Sequence, residues 1–452
     1  MNRRRSPKLL GFLDGKPLFY KGERHIILVG GSGLGKTSHF TSPNLMMDEN
    51  SVICLTDIAG ELSLTCAQLR RRLGKVWIDN PHCILQKYLG LFPHGSSNPM
   101  SALDPESLKF GIKSAKIASG CVVKDDNAKE KYWQNTARAA AKAVIMAEAL
   151  RGEEPNLVKV AEVIHGDFFV YATTVCEQFG SRKQGKGVNG SSEIYQTLLR
   201  YTTAREDEVR SLKEVLEQLR TDTDFILDQG VGRSLTRADY RYQDCRREVT
   251  SIFTVLGIDV IEQLGKYFRL QMESCLSDLI NPEVEGGIPV TIYCDEYGIA
   301  AKGGCEAMSV FLGAGRKAQV TVWLSVIDLE ELKRVHSDWT SVLANAGAAI
   351  FLCPITDPVT ADYVSTRSGQ KDVYTQSLSG GAAGKDPSVQ VGQTGRRVFT
   401  PAELAGLDSD QAIVFTDFTG GRPLLLKHKP YWEMPELIDL GSVGRNIYYE
   451  RT

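Results

Sequence analysis

Two kinds of hydrophobic pattern alternate along this chain. The first is a short, unbroken apolar run. His25-Ile26-Ile27-Leu28-Val29 is one, ending in glycines; Ser51-Val52-Ile53-Cys54-Leu55, closing at Asp57, is a second; Lys75-Val76-Trp77-Ile78-Asp79 is a third. Runs this short, rich in β-branched residues and uninterrupted by charge, predict strands of a parallel sheet with crossover helices on both faces. Similar runs at 289–294, 320–324, 348–352 and 412–415 predict that the α/β rhythm resumes after residue 246.

The second pattern fills the middle. Val209, Leu212, Val215, Leu216 and Leu219 recur at helical spacing with charges between them, and Trp133, Ala137, Ala140, Ala141, Val144 and Ile145 do the same. These rows predict an all-α domain over 106–245, inserted between two parts of an α/β nucleotide-binding domain at 1–105 and 246–452. The polar, glycine-rich stretch 181–192 reads as a loop, and its Arg182, Lys183 and Lys186 as solvated charges. Residues 369–399, rich in Gly, Ser, Gln and Lys, are long for an ordered loop and predict a mobile, hairpin or functional segment.

Composition narrows the possibilities. With 42% hydrophobic and 24% charged residues the chain is an ordinary globular protein of two or three domains. A net charge of −2 excludes a global basic field, so any nucleic-acid contact must be a local basic stripe. None of the ten cysteines forms a CxxC pair, which argues against zinc and for a reducing cytoplasm. The basic start MNRRRSPKLLGF has no apolar segment after it, and no stretch approaches the ~20 apolar residues of a membrane span. Arg3, Arg4 and Arg5 read as a solvated terminus.

The sharpest chemical signal is Gly30-Gly31-Ser32-Gly33-Leu34-Gly35-Lys36-Thr37, followed by Ser38. It fits G-x-x-x-x-G-K-[ST] between a predicted strand and a predicted helix. Glycines allow a tight turn whose N–H groups converge on phosphate oxygens, and the following helix adds its positive end. Lys36 is placed to reach the β- and γ-phosphates of ATP, and Thr37 to hold Mg²⁺. Two acidic residues close apolar strands and could face the metal: Asp57, and Asp295 beside Glu296. The second is the better candidate, with Asp295 serving the metal and Glu296 as the base that polarises water. Arg316, in Gly313-Ala314-Gly315-Arg316-Lys317, falls at a predicted sheet edge. There it reads either as a catalytic arginine offered to a neighbouring subunit or as a surface arginine.

An ordered set of further motifs narrows the class. Asp57-Ile58-Ala59-Gly60-Glu61 with Thr65 and Arg70, then Asn98-Pro99-Met100 with Leu103-Asp104, then Tyr132-Trp133, resemble segments of the type IV secretion coupling proteins, the TraG/TraD-like conjugative transfer ATPases. So do Asp295-Glu296-Tyr297, Gly315-Arg316-Lys317-Ala318, and the series Asn345, Asp357, Thr360, Ala361, Tyr363, Ser365, Gly369. Arg396-Arg397 to Glu403-Leu404 and Pro430-Tyr431 are similar to the closing segment. The resemblance implies a RecA-like P-loop NTPase domain with an inserted all-α domain, a homohexameric ring, and ATP with Mg²⁺. It implies partners as well: single-stranded DNA bound without regard to sequence, relaxase or effector protein cargo, and the ATPases and inner-membrane components of the secretion machinery. The expected location is cytoplasmic, peripheral at the inner face of the bacterial membrane.

Three departures stand out. The family's N-terminal membrane helices have no counterpart before Gly30. Its lysine in D-x-K-G-E is Ala59. Its glutamine after the strand that follows the arginine is missing from 322–328, which implies slow hydrolysis or an altered role for Asp328 or Ser325. With Lys36, Thr37, Asp295, Glu296 and Arg316 present, an ATP-driven motor that pumps DNA or protein to a conjugation channel is the leading expectation. The alternative is an ATP-binding recruitment platform that hydrolyses little.

Overall fold

The computed structural model describes residues 4–122, 131–152, 154–180, 190–280, 287–301, 306–379 and 388–434. Its strands, in chain order, are β1 (Lys8–Leu13), β2 (Lys16–Tyr20), β3 (His25–Val29), β4 (Ser51–Ile58), β5 (Lys75–Asp79), β6 (Thr250–Leu256), β7 (Val290–Cys294), β8 (Val320–Val326), β9 (Ala346–Leu352), β10 (Gln370–Ser379), β11 (Ser388–Arg397), β12 (Gln411–Thr416) and β13 (Leu424–Lys427). Eleven of them form one sheet, in the order β2-β1-β13-β12-β9-β3-β8-β7-β4-β6-β5. The pairings from β9 through to β5 are all parallel. The pairings of β12, β13, β1 and β2 are antiparallel.

Every residue of β3, β6, β7 and β8 is buried, because helices cover both faces of the parallel part. Alternate residues feed two cores. Ile27 and Val29 of β3, with Ala349 and Phe351 of β9, face a core shared with the helical region; Ile26, Leu28, Ala348 and Ile350 face the other. Each fully buried Ile, Leu or Val contributes about 1.5–3 kcal/mol of hydrophobic stabilisation.

The connection between β5 and β6 is largely helical. It includes Phe110–Cys121, Lys131–Arg151, Leu157–His165, Phe168–Gly180, Ser191–Thr202, Glu206–Thr223 and Gln229–Thr236. The predicted rows both land on such helices: Ala137, Ala140, Ala141, Val144 and Ile145, and Leu212, Val215, Leu216 and Leu219, are buried in one core, Trp133 packs partly buried against it, and Val209 at the head of its row stays half-exposed. After β6, the helix Ile261–Leu279 packs back against Phe110–Cys121. The predicted loop 181–192, with Arg182, Lys183 and Lys186, lies outside the described residues except for its last three positions, where the helix Ser191–Thr202 begins after Gly190.

β1 and β2 were not anticipated, whereas the hairpin after Gly369 is one of the alternatives expected there. The two strands lie before the first predicted strand, in a stretch for which no element was expected. Lys8 is buried and ion-paired with the equally buried Asp48. The segment after Gly369 forms a separate two-stranded antiparallel hairpin, β10–β11, paired from Gln370↔Arg397 to Ser379↔Ser388. Among the described residues no helix is long and apolar enough to cross a membrane. The nine described cysteines are all free.

Candidate active site

The site forms at the C-terminal ends of β3, β4, β7 and β8, where a parallel sheet meets the N-termini of its crossover helices. β3 delivers the chain into Gly30, whose N–H donates to the Val326 carbonyl of β8 at 3.1 Å. Gly33 and Gly35 adopt φ of 79° and 86°, in the left-handed region. The loop needs glycine there, because a side chain would strain the turn. Gly35 has a second constraint, since a Cβ would lie 2.6 Å from the ring of His39. The chain then enters a widened π turn over Lys36–Thr41 that runs into the helix Ser42–Met47. The first N–H groups of such a helix have no acceptor within it and point back over the loop.

Lys36 is buried at the centre of this cradle. Its Nζ donates to the Gly30 carbonyl at 2.9 Å and the Gly31 carbonyl at 3.4 Å, and lies 3.5 Å from Glu296 Oε1. Thr37 Oγ1 donates to Asp295 Oδ2 at 2.6 Å, and Thr41 Oγ1 lies 3.5 Å from Asp295 Oδ1. The two ends of the predicted constellation, more than 250 residues apart in sequence, therefore meet. Glu296 has φ 51° and ψ 40°, a left-handed turn that lifts its carboxylate off the end of β7 towards Lys36. Burial pushes its carboxyl above the ordinary range, partly opposed by Lys36 and reinforced by Asp295.

Asp57, the competing acid, is committed elsewhere. Its two oxygens accept from the N–H groups of Leu62 at 2.8 Å and Ser63 at 2.7 Å, and from the Ser63 hydroxyl. It caps the helix Glu61–Arg70, and burial pushes its carboxyl up to about 7. Ala59, in the family's lysine position, has φ 60°.

Arg316 falls on the helical turn Gly315–Ala318 just before β8, and its side chain lies outside the described residues. The two residues proposed to replace the missing glutamine differ in what holds them: among the described residues the Ser325 hydroxyl has no hydrogen-bond partner, whereas one Asp328 oxygen is engaged. Asp328 caps the helix Leu329–Val335 by accepting from the Glu331 N–H at 2.7 Å, and Ser325 is buried within β8.

Sequence reasoning missed Glu331. Its carboxylate accepts from the Ile327 N–H at 2.7 Å and packs against Gly298, where a Cβ would collide with it. Burial raises its carboxyl, and it feels both Lys36 and, across the site, Glu296. In sequence Leu329-Glu330-Glu331-Leu332 carries no motif that would mark Glu331. A buried relay was missed too. The Tyr297 hydroxyl lies 2.9 Å from His336 Nε2, and Ser309 Oγ lies 2.8 Å from His336 Nδ1. This chain ties the residue after Glu296 to the helix Glu306–Ala314, which leads into the Arg316 turn. A third contact, His39 Nδ1 to His428 Nδ1 at 2.7 Å, joins the π turn to the segment after β13. His428 Nε2 faces the Gln411 carbonyl at 3.2 Å, so Nε2 carries a proton and His39 Nδ1 donates.

The donors suit a hard divalent cation. Thr37 and Asp295 offer oxygen, and Mg²⁺ keeps several waters and needs only one or two protein ligands. The buried Thr56 hydroxyl, next to Asp57 near the end of β4, has no hydrogen-bond partner among the described residues.

Comparison with known proteins agrees with this geometry. The sequence profile of the family described as type IV secretory system conjugative DNA transfer matches residues 3–447. The conjugal transfer protein TraG of Rhizobium radiobacter is 22% identical over 437 residues, covering 94% of this chain and 64% of the relative; that of Agrobacterium fabrum is 27% identical over 187 residues, 40% of this chain and 28% of its own length. This chain thus spans less than two thirds of either relative. The conjugative coupling protein TrwB in complex with ADP and Mg²⁺ superposes with a TM-score of 0.66 at 16% identity, over 95% of this chain and 91% of that structure, and its unbound form scores 0.67 over 95% and 89%. That likeness establishes a RecA-like P-loop NTPase fold with an all-α domain. With almost the whole sequence matched by the family profile, the chain belongs to the type IV secretory system conjugative DNA transfer family.

Proposed function

We propose that this chain is an ATP-hydrolysing coupling protein, which recruits DNA or protein cargo and drives it towards a type IV secretion channel. The observation that carries the hydrolytic part is the closure of the P-loop against the acidic pair: Thr37 on Asp295 at 2.6 Å, and Lys36 on Glu296 at 3.5 Å. Lys36 and the loop amides bind and orient the β- and γ-phosphates. Thr37 and Asp295 hold Mg²⁺, which neutralises phosphate charge when bound. Glu296, half-buried beside Lys36, orients the attacking water and takes its proton. Arg316 completes the γ-phosphate site of a neighbouring copy in a homohexamer, and the helical region 106–245 presents cargo-binding surface. The TrwB structure with ADP and Mg²⁺ supports this choice of nucleotide and metal. The family match supports DNA and secretion-system partners; single-stranded DNA, a relaxase or effector as cargo, and a place at the inner face of the membrane complete this reading.

The recruitment platform remains as a second reading, favoured by one observation. Glu331, an acid, rather than an uncharged amide, lies within the electrostatic reach of Lys36. ATP turnover is measured with and without single- and double-stranded DNA for wild type, Lys36→Ala and Glu296→Gln, with mass measurement of the assembly. The motor requires turnover that both substitutions abolish. Tight ATP binding with no hydrolysis, alone or with DNA, selects the platform.

A further inference from the structure

The nucleotide site occupies one pole of the sheet. The opposite pole, at the N-terminal ends of the parallel strands, carries two grooves of about 1180 Å³ and 830 Å³ that share Arg72 and Leu73 as a common wall. Apart from Lys75, six cations line them: Arg4, Arg5, Lys21, Arg71, Arg72 and Arg247. Against these stand Glu23 and Glu49; Glu248 is paired with Lys75 at 2.5 Å. On a chain whose net charge is −2 this is a local excess of positive charge.

The fold builds this excess in place. The segment bearing Arg4 and Arg5 is pinned to the turn before β4: Asn50 Nδ2 donates to the Arg4 carbonyl at 3.0 Å and to Ser6 Oγ at 2.9 Å, while the Glu49 N–H donates to Ser6 Oγ at 3.0 Å. Two strands on, the backbones leading into β5 and β6 pass so closely that a Cβ on Gly74 would collide with the Val249 carbonyl, and the Lys75 N–H donates to that oxygen at 3.0 Å. This contact sets Arg71 and Arg72 beside Arg247. All three are exposed, and among the described residues Arg247 has only the rim pair with Asp244 at 3.5 Å, which is worth little in water.

We propose that this pole is a binding track for the phosphate backbone of a single nucleic-acid strand. Concave grooves lined by guanidinium groups suit a line of phosphodiesters, which arginine grips with its planar fork. A membrane surface calls instead for apolar side chains projecting among the cations, and Leu73 is the one exposed large hydrophobe in the two linings. Arginines that touch only phosphate read no sequence, so the track accepts any strand. The choice of nucleic acid rests on the proposed function; the place and the residues rest on the grooves.

The test is fluorescence anisotropy of a labelled oligothymidylate across a salt series, for wild type and the triple variant Arg71→Glu, Arg72→Glu, Arg247→Glu. Six phosphate contacts predict a log–log salt slope of roughly −4, and loss of three should reduce it by about 2. The variant should bind at least tenfold more weakly at low salt. ATP turnover without DNA, measured on the same samples, should be unchanged, which separates failure of the track from failure of the motor. Photo-crosslinking of a bromodeoxyuridine strand to the unmodified protein guards against a variant that misfolds: it should label peptides containing 71–75 and 247. Unchanged affinity and slope in a folded variant, or crosslinks confined to other surfaces, overturn the proposal. So does flotation with phosphatidylserine vesicles that the variant loses while it keeps oligonucleotide binding.

Discussion

Two clusters of buried charge sit at opposite ends of the same sheet, and they are built differently. At the N-terminal ends, Lys8 pairs with Asp48 and also donates to Thr291 Oγ1 at 3.0 Å and lies 3.3 Å from the Tyr293 hydroxyl. Thr291 Oγ1 donates to Asp48 at 2.8 Å, and Arg70 bonds the Asp48 and Asn50 carbonyls and Ser251. Burial pushes the Asp48 carboxyl up, but Lys8 and Arg70 outweigh it and hold it below its ordinary value. At the C-terminal ends, Lys36 is held by two carbonyls and a half-buried carboxylate, with a glycine loop open above it. The first cluster is saturated within itself and locks β1 to β4 and β7. The second keeps capacity for a guest. Buried charge marks chemistry only where the fold leaves bonding capacity unspent.

The contrast can be broken from the nucleotide end first. Lys36→Ala should lower ATP turnover by at least a hundredfold while leaving the melting temperature almost unchanged, as a steady-state phosphate-release assay and a thermal melt would show. Glu296→Gln should cut turnover about 10²–10⁴-fold yet retain ATP, read by a fluorescent-nucleotide titration. Asp48→Ala should do the reverse. It strands Lys8 without its counter-charge, at a cost of about 3–5 kcal/mol seen in urea denaturation. Were Asp48→Ala silent and Lys36→Ala destabilising, the two clusters would have to exchange roles.

Smaller effects sharpen the picture. His336→Ala removes the relay between Tyr297 and Ser309. We expect about a tenfold lower kcat, near 1.4 kcal/mol, with ATP affinity unchanged and partial rescue by His336→Gln. The smallest effect is on pH. Burial pushes both His39 and His428 down to about 4, from an ordinary value near 6.5. The unfolded chain therefore binds more protons than the native one between those values, and stability falls as pH drops from about 6.5 to 4. The melting temperature should decline by a few degrees over that window, and His428→Phe should flatten the decline.

Legibility in the sequence follows the same division. The inner strands could be read because burial on both faces leaves them uncharged apolar runs, and the P-loop because glycine and lysine have few other uses at that spacing. β1 was hidden by Lys8, whose neutralising partner lies forty residues away. β6 passed unnoticed because TSIFTVL follows a highly charged stretch, although all seven residues are buried. Glu331 and the His39–His428 contact were illegible for a different reason. Each depends on side chains that meet only after strand order is set, and no local period encodes that order. Asp57 shows the converse: its sequence context suited the metal, and the backbone amides of Leu62 and Ser63 claimed it.

The neighbouring placement of β1 and β13 has a mechanical consequence. These antiparallel strands lie side by side, joined near Phe12 and Lys427, at the margin of the sheet away from the phosphate loop. Tension between the segment before β1 and the segment after β13 would peel that margin open one hydrogen bond at a time. The parallel centre, where β3 is gripped on both sides by β8 and β9, would yield only by sliding many bonds at once. The protein can thus lose its hem under load while its engine stays in register.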